Sequence, residues 1–124
     1  MGGWFSSQPL TESENSRVKI IHSLARWQLD FNEFKESQTL VVIDFSATWC
    51  GPCRFMEPIL DAMSNEYTDV EFIKIDVDEL SDVAKDLNVQ AMPTFVLLKK
   101  GKEVDRVIGA KKDELQNKIR EHRA

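Results

Sequence analysis

The sequence predicts an α/β fold, a three-layer sandwich with a central mixed β-sheet flanked by helices. Strand-like and helix-like runs alternate through most of the chain, as they do where crossover helices join parallel strands. The run Leu40-Val41-Val42-Ile43-Asp44-Phe45-Ser46-Ala47 is apolar on both faces, which suits a strand covered by helices above and below. Two later strand-like runs meet at Lys100-Gly101, the turn of a hairpin, and a helix-spaced segment follows.

The elements follow in order. Residues 1–16 carry Ser6, Ser7, Gln8, Pro9, Thr11, Glu12, Ser13, Glu14, Asn15 and Ser16, too polar to bury much, so they are expected to form a flexible tail before a domain over 17–124. Residues 18–22 suit a short strand. Residues 25–36 place Trp27, Phe31 and Phe34 on one helical face. The central strand spans 40–47. A helix follows Cys53 and should kink at Pro58, where a backbone donor is missing. Residues 70–76 form another strand and 80–87 a helix with Val83, Ala84 and Leu87 inward. Thr94–Lys99 and Lys102–Ile108 make the hairpin. Residues 113–123 make an amphipathic helix with Leu115 and Ile119 inward.

A chain of 124 residues is one domain and can bury a core large enough to need no cross-link. Its 16 basic residues against 21 acidic ones argue against a nucleic-acid partner, which requires a basic face. No apolar stretch approaches the roughly 20 residues of a membrane span, and no signal-peptide pattern is present. The two cysteines suit a reducing cytosol better than a secreted framework.

Those cysteines stand in Trp49-Cys50-Gly51-Pro52-Cys53. A disulfide between them closes a ring worth only about 2 kcal/mol of chain entropy, against about 5 kcal/mol for a loop of about a hundred residues. A bond that stabilises so little is better explained as one made and broken. It falls where a strand hands over to a helix, the setting in which C-x-x-C reads as a redox motif. Unpaired amides and the helix dipole at that point favour thiolate, the nucleophilic form. Pro52 fits the first helical turn because it needs no N–H partner, and Gly51 lets a docking chain approach closely. Cys50, at the mouth of the turn, is expected to be the exposed attacker, and Cys53, one turn in, the shielded second thiol. A zinc site completed by His22 and His122 fits less well, because zinc pairs usually come as closely spaced couples. No metal is expected, and both histidines are expected at the surface. The run Lys99, Lys100, Lys102 reads as a solvated hairpin tip.

Asp44 interrupts the apolar central run. Such a carboxylate either points to water at the strand end or is buried, and an unpartnered buried one has its pKa raised. In the second case it could take a proton from a neighbouring thiol near neutral pH. Lys74, in Ile73-Lys74-Ile75, faces either solvent or the interior.

The Trp-Cys-Gly-Pro-Cys motif resembles the active site of the thioredoxin family. Asp44-Phe45-Ser46-Ala47-Thr48, Met92-Pro93-Thr94-Phe95 and Val107-Ile108-Gly109-Ala110 resemble three further family segments, in the family's order, across roughly residues 18–122. The details are most similar to plant cytosolic h-type members with an N-terminal extension. The resemblance implies that Asp44 is the buried proton acceptor with Lys74 beside it. It implies that Pro93 is cis and that Trp49, Met92, Pro93, Gly109 and Ala110 line a shallow groove for an extended target peptide. It also implies a thiol-disulfide oxidoreductase that reduces disulfides of client proteins, with no bound cofactor beyond the Cys50–Cys53 disulfide. An NADPH-dependent thioredoxin reductase would then regenerate it. A glutathione- and glutaredoxin-fed member of the same fold is the close alternative, and a non-catalytic binding subunit using the groove is the alternative of another class.

Met1-Gly2-Gly3-Trp4-Phe5-Ser6 matches the pattern for N-myristoylation at Gly2. One acyl chain binds membranes only marginally, and the tail offers neither a cysteine nor a basic residue before Arg17 as a second signal. A cytoplasmic protein with at most a minor membrane-associated fraction is expected.

Overall fold

The computed structural model describes residues 15–123. Five strands and four helices alternate: β1 (Lys19–Ile21), α1 (Leu24–Lys35), β2 (Val41–Ser46), α2 (Gly51–Glu66), β3 (Glu71–Asp76), α3 (Ser81–Asp86), β4 (Thr94–Lys99), β5 (Lys102–Ile108) and α4 (Lys112–His122). The sheet order is β1-β3-β2-β4-β5. β3 runs parallel to β1 and β2, whereas β4 is antiparallel to β2 and β5, so the sheet is mixed as expected.

Side chains alternate across the sheet and build a core on each face. On one face Val41, Ile43, Phe45, Ile73 and Ile75 pack with Val83 and Ala84 of α3 and with the half-buried Trp27, Phe31 and Phe34 of α1. On the other, Leu40, Val42, Phe72, Phe95 and Leu97 meet Met56, Leu60 and Met63 of α2 and Leu115 and Ile119 of α4. β2 lies in the middle of the sheet with all six residues buried. The chain leaves its carboxyl end directly into α2, so the motif stands at the centre of the molecule's edge.

Local chemistry sets the helix limits. Ser23 caps α1, its Oγ accepting from Arg26 N at 3.1 Å. α2 starts earlier than the apolar spacing suggests, at Gly51, because the Cys50 sulfur serves as the cap. It continues through Pro58 to Glu66, although Pro58 has no N–H to offer the Arg54 carbonyl. The hairpin turns through Lys100 and Gly101, both at positive φ.

The polar expectations need two corrections. Lys99 is not a solvated tip residue: it is half-buried and its Nζ donates to the His122 carbonyl at 2.7 Å. His122 is half-buried too, 3.0 Å from Asp105 Oδ2, because α4 lies close against β5. His22 is exposed and pairs with Glu79 at 2.9 Å. Gly2 lies outside the described residues. At the start of the described chain, Arg17 is tied to α2, its N donating to Ser64 Oγ at 3.0 Å and its guanidinium to the Ser64 carbonyl at 2.7 Å.

Candidate active site

Cys50 and Cys53 are joined in a disulfide with their Cα atoms 5.3 Å apart. Cys50 occupies the cap of α2, and the Cys53 amide donates to its sulfur at 3.2 Å. The next amide, Arg54 N, reaches the Cys50 carbonyl at 3.3 Å. Once the ring opens, a thiolate on Cys50 inherits an aimed N–H at a helix start, the arrangement that favours the charged form. Gly51 and Pro52 fill the first turn and are exposed, with nothing within 4 Å of the Cβ that Gly51 lacks.

The expected contrast in exposure between the thiols is much reduced. Cys50 is only 5% exposed, and Cys53 1%. Ala47, Val77 and Met92 pack around the ring and cover Cys50 as well as its partner. Cys50 retains the larger opening of the two.

The flanking residues divide between the ring and the sheet. Met92 packs against the ring, and its carbonyl lies 3.6 Å from Cys50 Sγ. The Met92–Pro93 bond is cis. The Pro93 carbonyl accepts from Gly109 N at 2.8 Å, which binds the end of β5 to the segment beside the ring. Gly109 has φ +101°, a conformation that glycine adopts without strain. Ala110 packs on the α2–α4 face of the core instead of against the sulfurs. Trp49 is 65% exposed, and its indole N–H donates to Asp78 Oδ2 at 2.8 Å. A large apolar ring therefore stands open beside Cys50, held by one polar tether.

Asp44 is fully buried, with no hydrogen bond to either carboxylate oxygen among the described residues. It sits on the β2 face that carries Val42, hence on the side covered by α2. Its Cα partner across the β2–β3 pair is Lys74, only 3% exposed, which settles the lysine on the interior side. Lys74 Nζ is 3.5 Å from Glu57 Oε2 on α2. Burial pushes the Asp44 carboxyl up to about 7; Lys74 pulls it down and Glu57 pushes it up by a smaller amount. Ser46 Oγ, on the same face, is also buried without a hydrogen bond among the described residues.

Sequence reasoning missed Glu57, Asp78 and Ser46. Glu57 had a signal, since it stands one helical turn after Cys53, where i and i+4 share a face. Asp78 had none, because the fold brings it to Trp49 across 29 residues.

A two-residue-spaced cysteine pair bonded at a helix start, with a buried carboxyl in the preceding strand and an exposed indole next to the pair, defines a thiol-disulfide oxidoreductase. The thioredoxin family model matches residues 21–121. The chain is 64% identical to Thioredoxin H2 of Arabidopsis thaliana over 114 residues, covering 92% of this chain and 86% of that protein. It is 52% identical to Thioredoxin H2-2 of Oryza sativa subsp. japonica, covering 96% of this chain and 93% of that protein. The crystal structure of thioredoxin NaTrxh from Nicotiana alata superposes with a TM-score of 0.90 at 64% identity, covering 93% of this chain and all of that one. This protein belongs to the thioredoxin family and is a protein-disulfide reductase with a redox-active Cys50–Cys53 pair.

Proposed function

We propose that the protein reduces disulfides of client proteins through a fixed order of attack. The Cys50 thiolate attacks a client sulfur, forming a mixed disulfide and releasing the other client sulfur as a thiolate, which takes a proton from solvent. Cys53 then gives its proton to the Asp44 carboxylate and attacks Cys50. The Cys50–Cys53 bond forms, the mixed disulfide breaks, and the second client sulfur leaves reduced. Two electrons pass from the dithiol to the client. The observation that carries this reading is the Cys50 sulfur in the cap of α2, receiving the Cys53 N–H, together with a buried and unbonded Asp44 on the β2 face that α2 covers.

Trp49, Met92, Pro93, Gly109 and Ala110 form the surface against which an extended client segment lies, Lys74 supports Asp44, and Gly51 and Pro52 tune the ring. Ala110 has the weakest support, since its packing is with the core. A thioredoxin reductase drawing on NADPH restores the dithiol. The protein thus takes part in electron transport and redox homeostasis in the cytoplasm. Residues 1–14 lie outside the described residues, and acylation at Gly2 gives a minor, reversible membrane fraction. No helix among the described residues is long and apolar enough to cross a membrane.

Insulin-disulfide reduction followed by NADPH oxidation tests the reading. Turnover with thioredoxin reductase and little with glutathione and glutaredoxin is expected. The reverse pattern would change the electron donor, and no turnover with either would remove the catalytic role.

A further inference from the structure

The pairing of the buried lysine assigns a part to a residue outside the motif. Asp44 and Lys74 are Cα partners on adjacent strands, yet no hydrogen bond joins them: both Asp44 oxygens lack one. The ammonium instead lies 3.5 Å from Glu57, whose side chain reaches from α2 and is 32% exposed, while that of Lys74 is 4% exposed. A buried ammonium needs a carboxylate close by, and removing the partner leaves a costly uncompensated charge. Here two carboxylates are within reach of one cation, and the outer one holds it.

We propose that Glu57 is a positioning residue for the resolving step: by holding the Lys74 ammonium in an ion pair of its own, it keeps that cation from fixing Asp44 as a permanent carboxylate. The inference rests on Asp44 being the proton acceptor for Cys53. A base works best when its proton affinity matches the working pH. Paired tightly to Lys74, Asp44 would be ionised throughout but a poor acceptor. Left unbonded in an apolar layer, it can take a proton from a thiol and give it up again. The charges acting on Asp44 are Lys74 from β3 and Glu57 from α2. β4 sets Phe95 opposite it, β2 adds the Ser46 hydroxyl, and α4 turns Leu115 and Ile119 toward this layer. Cys53 on α2 becomes a third titratable group when the ring opens.

Carbon-13 NMR of the Asp44 carboxyl in the oxidised protein reads this directly, in the native chain, Glu57→Gln, Lys74→Met and the double variant. Glu57→Gln should lower the titration midpoint by about 1 pH unit or more, as Lys74 turns to Asp44. Lys74→Met should raise it. In the Lys74→Met background, Glu57→Gln should lower the midpoint by clearly less, because only the direct repulsion between the two carboxylates is then lost. Glutamine matches glutamate in shape at a partly solvated position, and methionine fits a buried lysine stem, so the variants should fold. An unmoved midpoint in Glu57→Gln, or an equal shift with and without Lys74, overturns the proposal. The pH profile of mixed-disulfide resolution tests the underlying reading separately. Its inflection should follow the Glu57→Gln midpoint and vanish in Asp44→Asn. An inflection that persists in Asp44→Asn would remove Asp44 as proton acceptor, while the NMR midpoints would still decide the role of Glu57.

Discussion

At the scale of single residues, Asp44 is a buried carboxyl that costs stability. A carboxyl held in an apolar layer without a hydrogen bond is retained at the expense of the fold. The folded protein keeps the Asp44 proton up to about pH 7, whereas the unfolded chain releases it near the ordinary value of 3.8. Between those values the folded state binds more protons than the unfolded one, so stability falls as pH rises through this window, by at most roughly 4 kcal/mol. Asp44→Asn removes that dependence. Urea denaturation should show the variant more stable than the native chain by roughly 2–4 kcal/mol at pH 8 and nearly equal at pH 4. Parallel stability curves would show that the carboxyl is solvated. The same variant should slow resolution by Cys53 near pH 7 and recover as pH rises, because a thiol that ionises unaided needs no acceptor. Asp105 behaves oppositely. Its hydrogen bond from Lys118 holds its carboxyl down to about 2, with His122 contributing less, so its contribution is present above the ordinary value and is lost as pH falls through the folded one.

At the scale of elements, capping separates the helices. Ser23 supplies α1 with a side-chain cap, whereas α3 and α4 begin at Leu80 and Lys111 with no side-chain hydrogen bond. Ser23→Ala should therefore cost about 1 kcal/mol, read as a lower urea midpoint with an unchanged slope. An unchanged midpoint would mean that Trp27, Phe31 and Phe34 alone hold the helix on the sheet. The hairpin and the central strand were legible because their signals are local: a Lys-Gly turn and a run apolar on both faces. The start of α2 was legible from Pro52, which suits a first helical turn, although the Cys50 sulfur as its cap is not a usual signal. Asp44 could be read because a carboxylate stands out beside Leu40-Val41-Val42-Ile43, although the residues alone left its burial open and only the resemblance implied it. The Lys74–Glu57 pair was illegible, as it depends on the β2–β3 register and on how α2 lies across it. That Met92 comes to Cys50 from a distant segment was legible only through the family resemblance, and that it helps bury the Cys50 sulfur had to come from the fold.

At the scale of the whole molecule, the sheet order puts β2 at the centre, and the chain passes from its carboxyl end through residues 47–50 into α2, where the Cys50–Cys53 ring sits. The open indole of Trp49 beside it is an exposed apolar surface. For the N-terminal tail, Gly2→Ala should remove a small membrane-bound fraction and leave disulfide reduction unchanged. Fractionation of cells expressing both forms checks this, and equal membrane fractions would show that Gly2 is not acylated to any effect. The central claim, dithiol exchange led by Cys50 and completed by Cys53, is tested most directly by covalent capture. Cys50→Ser and Cys53→Ser variants are mixed with a disulfide-containing protein, and intact masses are measured. The Cys53→Ser protein should accumulate as a stable mixed disulfide through Cys50, and the Cys50→Ser protein should remain free. Stable capture by Cys50→Ser with none by Cys53→Ser would contradict the order of attack.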